Sequence, residues 1–108
     1  LNQKRVENVV NYLSLLHSSG IVHGDPTTRN IRIDSTSDKV YLIDFGLGFH
    51  TDNIEDYAMD LHIFKESLVG TSSNYEELWN RATSVYEGHG SPHVLTRLQE
   101  IESRGRYL

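Results

Sequence analysis

An ordered set of polar residues between positions 23 and 46 constrains this chain more than any other feature. Residues 23–30 read H-G-D-P-T-T-R-N, and a D-F-G tripeptide begins at Asp44, fourteen residues after Asn30. Asp25 and Asn30 are five residues apart, and the interval between Asn30 and Asp44 is long enough for two short strands. Either motif alone occurs by chance in many chains, whereas the ordered set is specific. We therefore expect the two motifs to form one site.

The residue types in this set suit phosphoryl transfer, and the kinase signature has the same five-residue interval. That reaction needs a carboxylate facing the attacking hydroxyl and oxygen ligands that hold magnesium against the nucleotide phosphates. We expect Asp25 to be the catalytic residue, and Asn30 and Asp44 to bind Mg²⁺ and, through it, ATP. The alternatives are that Asp25 and Asn30 are ordinary turn residues and that Asp44 caps a strand end.

Two further residues are expected to support the site. His23 lies beside a carboxylate that already fills the role of base, so it should hold the loop by hydrogen bonding and packing. We call residues 23–30 the catalytic loop and the loop that begins at Asp44 the metal loop. Asp60 lies in the helix after the metal loop, where a carboxylate can hold the backbone of the catalytic loop from beneath. The alternative is a solvated helix face. The remaining histidines lack metal-ligand spacing and should be structural or surface residues: His17, His50, His62, His89 and His93.

Composition leaves room for one small domain. The chain has 108 residues, 37% of them apolar, a net charge of −5 and no cysteine, which excludes disulfides and thiolate metal sites. Its longest apolar runs are only a few residues, so we expect no membrane span and a cytoplasmic location. An acidic chain is not expected to clamp nucleic acid as a whole. Arg104 and Arg106 are the exception, as candidate contacts to RNA or a partner; the alternative is a solvated helix end.

Apolar periodicity predicts about four helices. The first covers residues 1–19 and ends at Gly20, a residue suited to a left-handed cap. Residues 51–53 are typical of a helix start, and Asp52 and Glu55 have the spacing of a capping box at the start of the second helix. The third should begin near residue 74, and the fourth near Pro92.

Alternating apolar and polar residues predict a short two-stranded element between the two motifs. The alternation covers residues 31–34 and 40–43, with a polar turn between them. Its two ends would carry the catalytic loop and the metal loop. The expected fold class is therefore α+β, mainly α.

The residues around the motifs also argue against two features by which many kinases are controlled. Many kinases have Arg directly before the catalytic Asp, and that Arg pairs with a phosphate on the activation loop. Gly24 occupies this position here. Only a handful of residues separate Gly46 from the next helix, and no A-P-E tripeptide follows. We expect neither this phosphate switch nor a long activation segment.

Four stretches, in order, resemble the small atypical kinase of the KEOPS (EKC) complex, a family related to the RIO kinases. Residues 23–30 are similar to its H-G-D-L-T-T-S-N loop, 43–47 to its I-D-F-G-L, 55–61 to its E-D-K-A-V-D-L helix and 104–106 to the start of its R-G-R-K tail. Departures are Pro26, Arg29 and Tyr57, together with a tail that has few basic residues. Those few basic residues weaken the expectation of a tRNA contact more than that of nucleotide binding.

The resemblance implies a protein-kinase-like C-lobe that uses ATP and Mg²⁺ to phosphorylate Ser/Thr acceptors or to hydrolyse ATP. It implies the catalytic role for Asp25, the magnesium role for Asn30 and Asp44, and an RNA-facing tail near Arg104. The implied partners are a tRNA threonylcarbamoyladenosine synthase, separate or fused, and the other KEOPS subunits. The implied function is support of tRNA threonylcarbamoyladenosine modification.

Parts that cover and orient the nucleotide in kinases are missing before the catalytic loop. Residues 1–22 contain neither a glycine-rich phosphate loop nor a strand Lys, since Lys4 lies on the first helix. We expect residues 1–108 to be a C-lobe whose N-lobe lies upstream of Leu1. The isolated piece is then expected to be inactive.

Two other functions stay open from the sequence. Small-molecule phosphotransferases of the aminoglycoside type share H-G-D-x-x-x-x-N but usually lack D-F-G-L. Alternatively, the chain is a scaffolding module: its kinase site is vestigial, and its helices dock a tRNA-modifying partner. The intact Asp25, Asn30 and Asp44 argue against full loss of nucleotide binding.

Overall fold

The computed structural model describes residues 1–89 and 91–104. The elements of this part are α1 (Gln3–Ser18), β1 (Ile21–Val22), a 3-10 turn (Thr28–Asn30), β2 (Ile31–Asp34), β3 (Lys39–Leu42), β4 (Phe49–His50), α2 (Ile54–Thr71), α3 (Tyr75–His89) and α4 (Pro92–Ser103). The expected α+β, mainly α fold with four helices is confirmed.

Helix α1 leads the chain to the catalytic loop. The Asn2 side chain caps its start by accepting a hydrogen bond from the Arg5 N–H at 2.9 Å. After the helix, Gly20 has a φ of +77°, and its N–H donates to the His17 carbonyl at 3.0 Å. The left-handed turn at Gly20 therefore ends the helix and sends the chain into β1, as expected from the sequence.

Two separate antiparallel ribbons flank the catalytic loop. In the first, β2 pairs with β3 so that Ile31 lies opposite Leu42, which confirms the predicted two-stranded element. In the second, β1 pairs with β4 through Val22 and Phe49. The second ribbon was not predicted, because strands of two residues are too short to show an alternating pattern.

The helices enclose the apolar core. Helix α1 packs against α3, and α2 packs against α4. Sixteen residues of the described part form this core: Val6, Val9, Val10, Leu13, Ile31, Val40, Ala58, Leu61, Phe64, Leu68, Leu78, Ala82, Tyr86, Val94, Leu98 and Ile101. Since α2 contributes to the core and also lies beneath the catalytic loop, the site rests on a helix that is anchored in the core.

The start of α2 is held in place by polar contacts. Asn53, rather than Asp52, is the cap: its Oδ1 accepts from the Glu55 N–H at 3.0 Å. Asn53 is one of the three residues expected at this helix start, whereas the capping box expected at Asp52 is wrong. Just before the cap, the Thr51 N–H donates to the Gly20 carbonyl at 2.9 Å, which joins the start of α2 to the end of α1.

A bilayer-spanning helix is not found in the described part of the chain, where each helix is too short or too polar.

Candidate active site

Asp25 and Asn30 are joined directly in the catalytic loop. The Asn30 Nδ2 donates to the Asp25 carbonyl at 2.8 Å and to the Asp25 Oδ2 at 3.1 Å. Asn30 is 9% exposed and ends the 3-10 turn, whereas Asp25 is half-buried. Because the amide nitrogen is engaged with Asp25, the amide oxygen is the atom of Asn30 that remains suitable for an ion.

Asp44 lies at the same end of the β2–β3 ribbon as Asn30. The Ile43 N–H donates to the Asn30 carbonyl at 2.9 Å, so these two residues face each other where the ribbon ends. Asp44 follows directly, is exposed, and has a left-handed φ of +60°. This backbone conformation is uncommon for a residue with a side chain, and such residues cluster at functional sites.

The donor set at this end of the ribbon fits magnesium. An amide oxygen and a carboxylate are hard donors, and Mg²⁺ commonly takes one or two carboxylates together with phosphate oxygens and water. Within residues 1–89 and 91–104, no group of three or more His, Cys, Asp or Glu side chains is arranged for a metal. The set therefore suits an ion that is also coordinated by nucleotide phosphates, rather than an ion coordinated by protein side chains alone.

His23 connects the catalytic loop to the strand that precedes Asp44. Its side chain is fully buried, and its Nε2–H donates to the Ile43 carbonyl at 2.7 Å. Its Nδ1 accepts from the Asp25 N–H at 3.1 Å. The ring also contacts Phe45, with the ring centroids 4.4 Å apart. A neutral ring protonated at Nε2 satisfies both hydrogen bonds. Since both ring nitrogens are engaged, the geometry suits a structural support of the loop rather than a general base.

The Asp60 carboxylate holds the backbone of the catalytic loop. It is 2% exposed; Oδ2 accepts from the His23 N–H and Oδ1 from the Gly24 N–H, both at 2.9 Å. Helix α2 makes a second contact with the loop about two turns further on. There the Thr28 N–H donates to the Ser67 Oγ at 2.8 Å. Ser67 was not singled out from the sequence, because a lone serine in a helix carries no recognisable signal.

Gly24 and Gly48 allow the D-F-G loop to lie directly on the catalytic loop. Gly24 has a φ of +93°, and a Cβ there would lie 2.2 Å from the Leu47 carbonyl oxygen. A Cβ on Gly48 would lie 2.7 Å from the Val22 carbonyl oxygen. The sequence was interpreted only for the Arg that Gly24 replaces. The steric reason for Gly24 was missed, because it depends on a backbone segment more than twenty residues away.

The remaining expected residues are two arginines near the C-terminus. Arg104 is exposed directly after α4. Arg106 lies outside the described residues.

An apolar groove of about 270 Å³ adjoins the D-F-G loop. It is lined by Tyr12, Leu15, Leu16, Tyr41, Leu42 and Phe45. Leu15 is 63% exposed and Phe45 is 45% exposed, so the groove leaves large apolar side chains open to solvent. Exposed apolar patches of this kind mark surfaces that bind a ligand or another segment of protein.

Comparison with known families agrees with this geometry. A model of the phosphotransferase enzyme family matches residues 3–89, which include the whole catalytic loop and the D-F-G motif. The chain belongs to the phosphotransferase enzyme family.

Several named relatives of the chain are longer proteins. The chain is 51% identical to a "Probable bifunctional tRNA threonylcarbamoyladenosine biosynthesis protein" from Haloquadratum walsbyi, over 99% of this chain and 20% of the relative. It is 40% identical to a "Probable serine/threonine-protein kinase BUD32 homolog" from Archaeoglobus fulgidus, over 86% of this chain and 47% of the relative. It is 30% identical to the "EKC/KEOPS complex subunit bud32" of Dictyostelium discoideum, over 97% and 44%.

These relatives confirm the resemblance found in the four sequence motifs. The chain spans between one fifth and just under one half of their lengths. The names describe the relatives as whole proteins.

Proposed function

We propose that this chain is the catalytic C-lobe of an atypical ATP-dependent Ser/Thr kinase or ATPase of the KEOPS complex, which supports tRNA threonylcarbamoyladenosine modification. Two kinds of observation support the proposal. Relatives with kinase, KEOPS and threonylcarbamoyladenosine names align over most of the chain. Asn30, whose side chain binds Asp25, also lies with Asp44 at one end of the β2–β3 ribbon.

The observation that carries the proposal is the double attachment of Asn30. Its side chain binds Asp25, and its carbonyl binds the N–H of Ile43, the residue before Asp44. One residue thus links the proposed base to the proposed metal loop through two short contacts. This link is not expected if Asp25 and Asn30 are ordinary turn residues.

We propose a separate role for each side chain. The Asp25 Oδ2 is held by Asn30, so Oδ1 remains to accept a hydrogen bond from the attacking hydroxyl and then its proton. The Asn30 amide oxygen and the Asp44 carboxylate would hold Mg²⁺, which supplies charge stabilisation at the phosphates of ATP when bound. His23 and Asp60 keep the loop backbone in place, so Asp25 needs little reorganisation when the acceptor arrives.

The C-lobe assignment is itself part of the proposal. We propose that an N-lobe elsewhere in the full-length protein covers the nucleotide, so that the 108-residue chain alone does not turn over ATP. The length of the Archaeoglobus fulgidus relative supports this, since less than half of it aligns. The exposed apolar groove beside Phe45 offers a surface on which such a lobe would pack.

Partners follow from the same relatives. We propose that the protein acts in the cytoplasm with a tRNA threonylcarbamoyladenosine synthase, separate or fused, and with other KEOPS subunits. Contact with tRNA would be indirect or through Arg104 and Arg106. No membrane partner is proposed.

A second candidate is a small-molecule phosphotransferase. The family match favours it to the extent that the family description names phosphotransferases without an acceptor. Offering the full-length protein ATP with protein, sugar and amine acceptors separates the two candidates. The first predicts phosphorylated protein or free phosphate, whereas the second predicts a phosphorylated small molecule.

Replacement of Asp25 tests the proposed chemistry. In the full-length protein, Asp25→Asn should lower ATP turnover by roughly 10²–10⁴-fold, because the acceptor proton loses its base. Mg²⁺-dependent ATP binding by calorimetry and the melting temperature should stay close to wild type. Asp52→Asn, at an exposed carboxylate before α2, is the matched control. Unchanged turnover in Asp25→Asn would overturn the catalytic role, and wild-type protein that fails to bind ATP would favour a scaffold.

A further inference from the structure

A buried row of hydrogen bonds connects helix α3 to the catalytic loop. The Tyr86 hydroxyl lies 2.8 Å from the His17 Nδ1, and the His17 Nε2 lies 2.8 Å from the Asp60 Oδ2. The same Oδ2 accepts from the His23 N–H at 2.9 Å. The three linked side chains come from α3, α1 and α2, and each residue is at most 5% exposed. Three helices therefore meet at one carboxylate beneath the site.

The chemistry of the three groups gives this row a consistent direction. An ionised carboxylate only accepts, so the His17 Nε2 must carry a hydrogen and donate it to Asp60. A neutral ring then presents Nδ1 as an acceptor for the Tyr86 O–H. Burial, and secondly the Asp60 charge, raise the pKa of the Tyr86 hydroxyl, which keeps it protonated and able to donate.

His17 is well placed to control the orientation of Asp60. The carboxylate binds the backbone through both oxygens, and Oδ2 is shared between His17 and the His23 N–H. Tyr57 stacks on the His17 ring, with centroids 4.9 Å apart and planes at 22°, which restricts the ring's rotation. Without a donor at the position of the His17 Nε2, the carboxylate would rotate more freely. The two amides that it holds immediately precede Asp25.

We propose that His17 and Tyr86 are positioning residues for phosphoryl transfer, acting through Asp60 on the backbone that carries Asp25. This inference rests on the proposed catalytic role of Asp25. It adds two residues from α1 and α3 that no sequence motif singled out. It also makes the geometry of the catalytic loop depend on how α3 packs.

Two substitutions of His17 separate positioning from simple packing. His17→Gln places an amide nitrogen near the position of Nε2 and can keep the bond to Asp60. His17→Asn places its amide near Nδ1 and can keep only the contact with Tyr86. Both remove the ring that stacks on Tyr57, so a purely structural role predicts equal damage. Tyr86→Phe removes only the hydroxyl.

The expected results in the full-length protein follow from this difference. His17→Asn should lower kcat by on the order of tenfold to a hundredfold with little change in the KM for ATP, because a slightly misplaced catalytic group is costly. His17→Gln should recover most of the wild-type kcat, and Tyr86→Phe should lie between the two. His93→Gln and Tyr75→Phe, outside the row, are the controls and should match wild type.

Amide hydrogen exchange supplies a readout that does not depend on turnover. The His23 and Gly24 amides should exchange faster in His17→Asn than in His17→Gln or wild type, at matched distance from the melting temperature. Equal kcat in the two His17 variants, or unchanged exchange at both amides, would overturn the proposal. If the wild-type protein shows no ATP turnover, the proposed function fails, while the exchange comparison still decides whether the row positions the loop.

Discussion

At the residue scale, the site depends on a contact that leaves no room for a side chain. Gly24 combines a left-handed φ of +93° with a carbonyl oxygen 2.2 Å from the place of its absent Cβ. That oxygen belongs to Leu47, in the loop that follows Asp44. Gly24 thus allows the catalytic loop and the metal loop to touch along their backbones.

Gly24→Ala is therefore expected to destabilise the protein. Backbone strain and overpacking together should cost roughly 2–6 kcal/mol in the free energy of unfolding. Urea denaturation measures this cost. Gly70→Ala, in α2 with nothing within 4 Å of the added Cβ, is the control and should be neutral or stabilising by about 0.5–1 kcal/mol. Equal stability of the two variants would show that the loops do not meet at Gly24.

Tyr86 predicts a pH dependence of stability at the alkaline end. Burial raises the pKa of its hydroxyl in the folded state, with a smaller contribution from Asp60. Well below pH 10 the tyrosine is protonated in both states, so it contributes no pH dependence. Above about pH 10 the unfolded chain releases this proton and the folded chain keeps it, so the free energy of unfolding falls. Denaturation should show a steeper fall for wild type than for Tyr86→Phe, and equal slopes would contradict the assignment.

At the element scale, the position of α2 determines where its supporting side chains lie. Asn53 caps this helix, and Asp60 and Ser67, about two turns apart, then face the catalytic loop. The Thr51 N–H ties the segment before the cap to the Gly20 carbonyl. A shift in the start of α2 would move both supports relative to the loop.

The cap of α2 gives a test in which neighbouring residues have different expected effects. Asn53→Ala should lower the free energy of unfolding by about 1 kcal/mol, because the Glu55 N–H loses its side-chain acceptor. Asp52→Ala should change it by only a few tenths of a kcal/mol, since its charge acts on the helix dipole from an exposed position. Thermal or urea denaturation measures both. The opposite order would restore the capping box expected from the sequence.

The elements differ in how far they could be predicted. Helix α1 was recognised because Val6, Val9 and Leu13 recur at helical spacing, and the β2–β3 ribbon because its apolar residues alternate. The β1–β4 ribbon could not be found in this way. Its pairing of Val22 with Phe49 joins residues that are far apart in sequence, and neither two-residue strand has a pattern of its own.

At the scale of the whole molecule, the apolar groove between α1 and β3 is an open surface. Leu15 lines this groove, and 63% of the residue is exposed to solvent. Covering such a side chain is favourable by roughly 1.5–3 kcal/mol. The proposed N-lobe would gain this energy by packing there.

Leu15→Gln tests whether the groove is covered in the full-length protein. Gln and Leu have similar helix propensities, so the change acts mainly on burial. The full-length protein should lose roughly 1.5–3 kcal/mol of unfolding free energy if another segment packs on Leu15. Val69→Gln, at a 42% exposed position of α2 that does not line the groove, is the control and should have little effect. Equal, small effects would show that the groove stays open.

The sequence by itself determined the features that depend on neighbours along the chain. These are the buried faces of the helices, the turn at Gly20, the β2–β3 ribbon and the ordered set of Asp25, Asn30 and Asp44. Such features come from local backbone preferences and from the spacing of apolar residues, both of which can be read one segment at a time.

Only the tertiary structure decided which distant atoms share a partner. The row from Tyr86 through His17 to Asp60, and the contact between Gly24 and Leu47, join segments whose sequences carry no sign of each other. The physical reason is that a buried polar group must find a hydrogen-bond partner and a tight contact must exclude a side chain. Which atoms meet those needs is settled only when the helices pack.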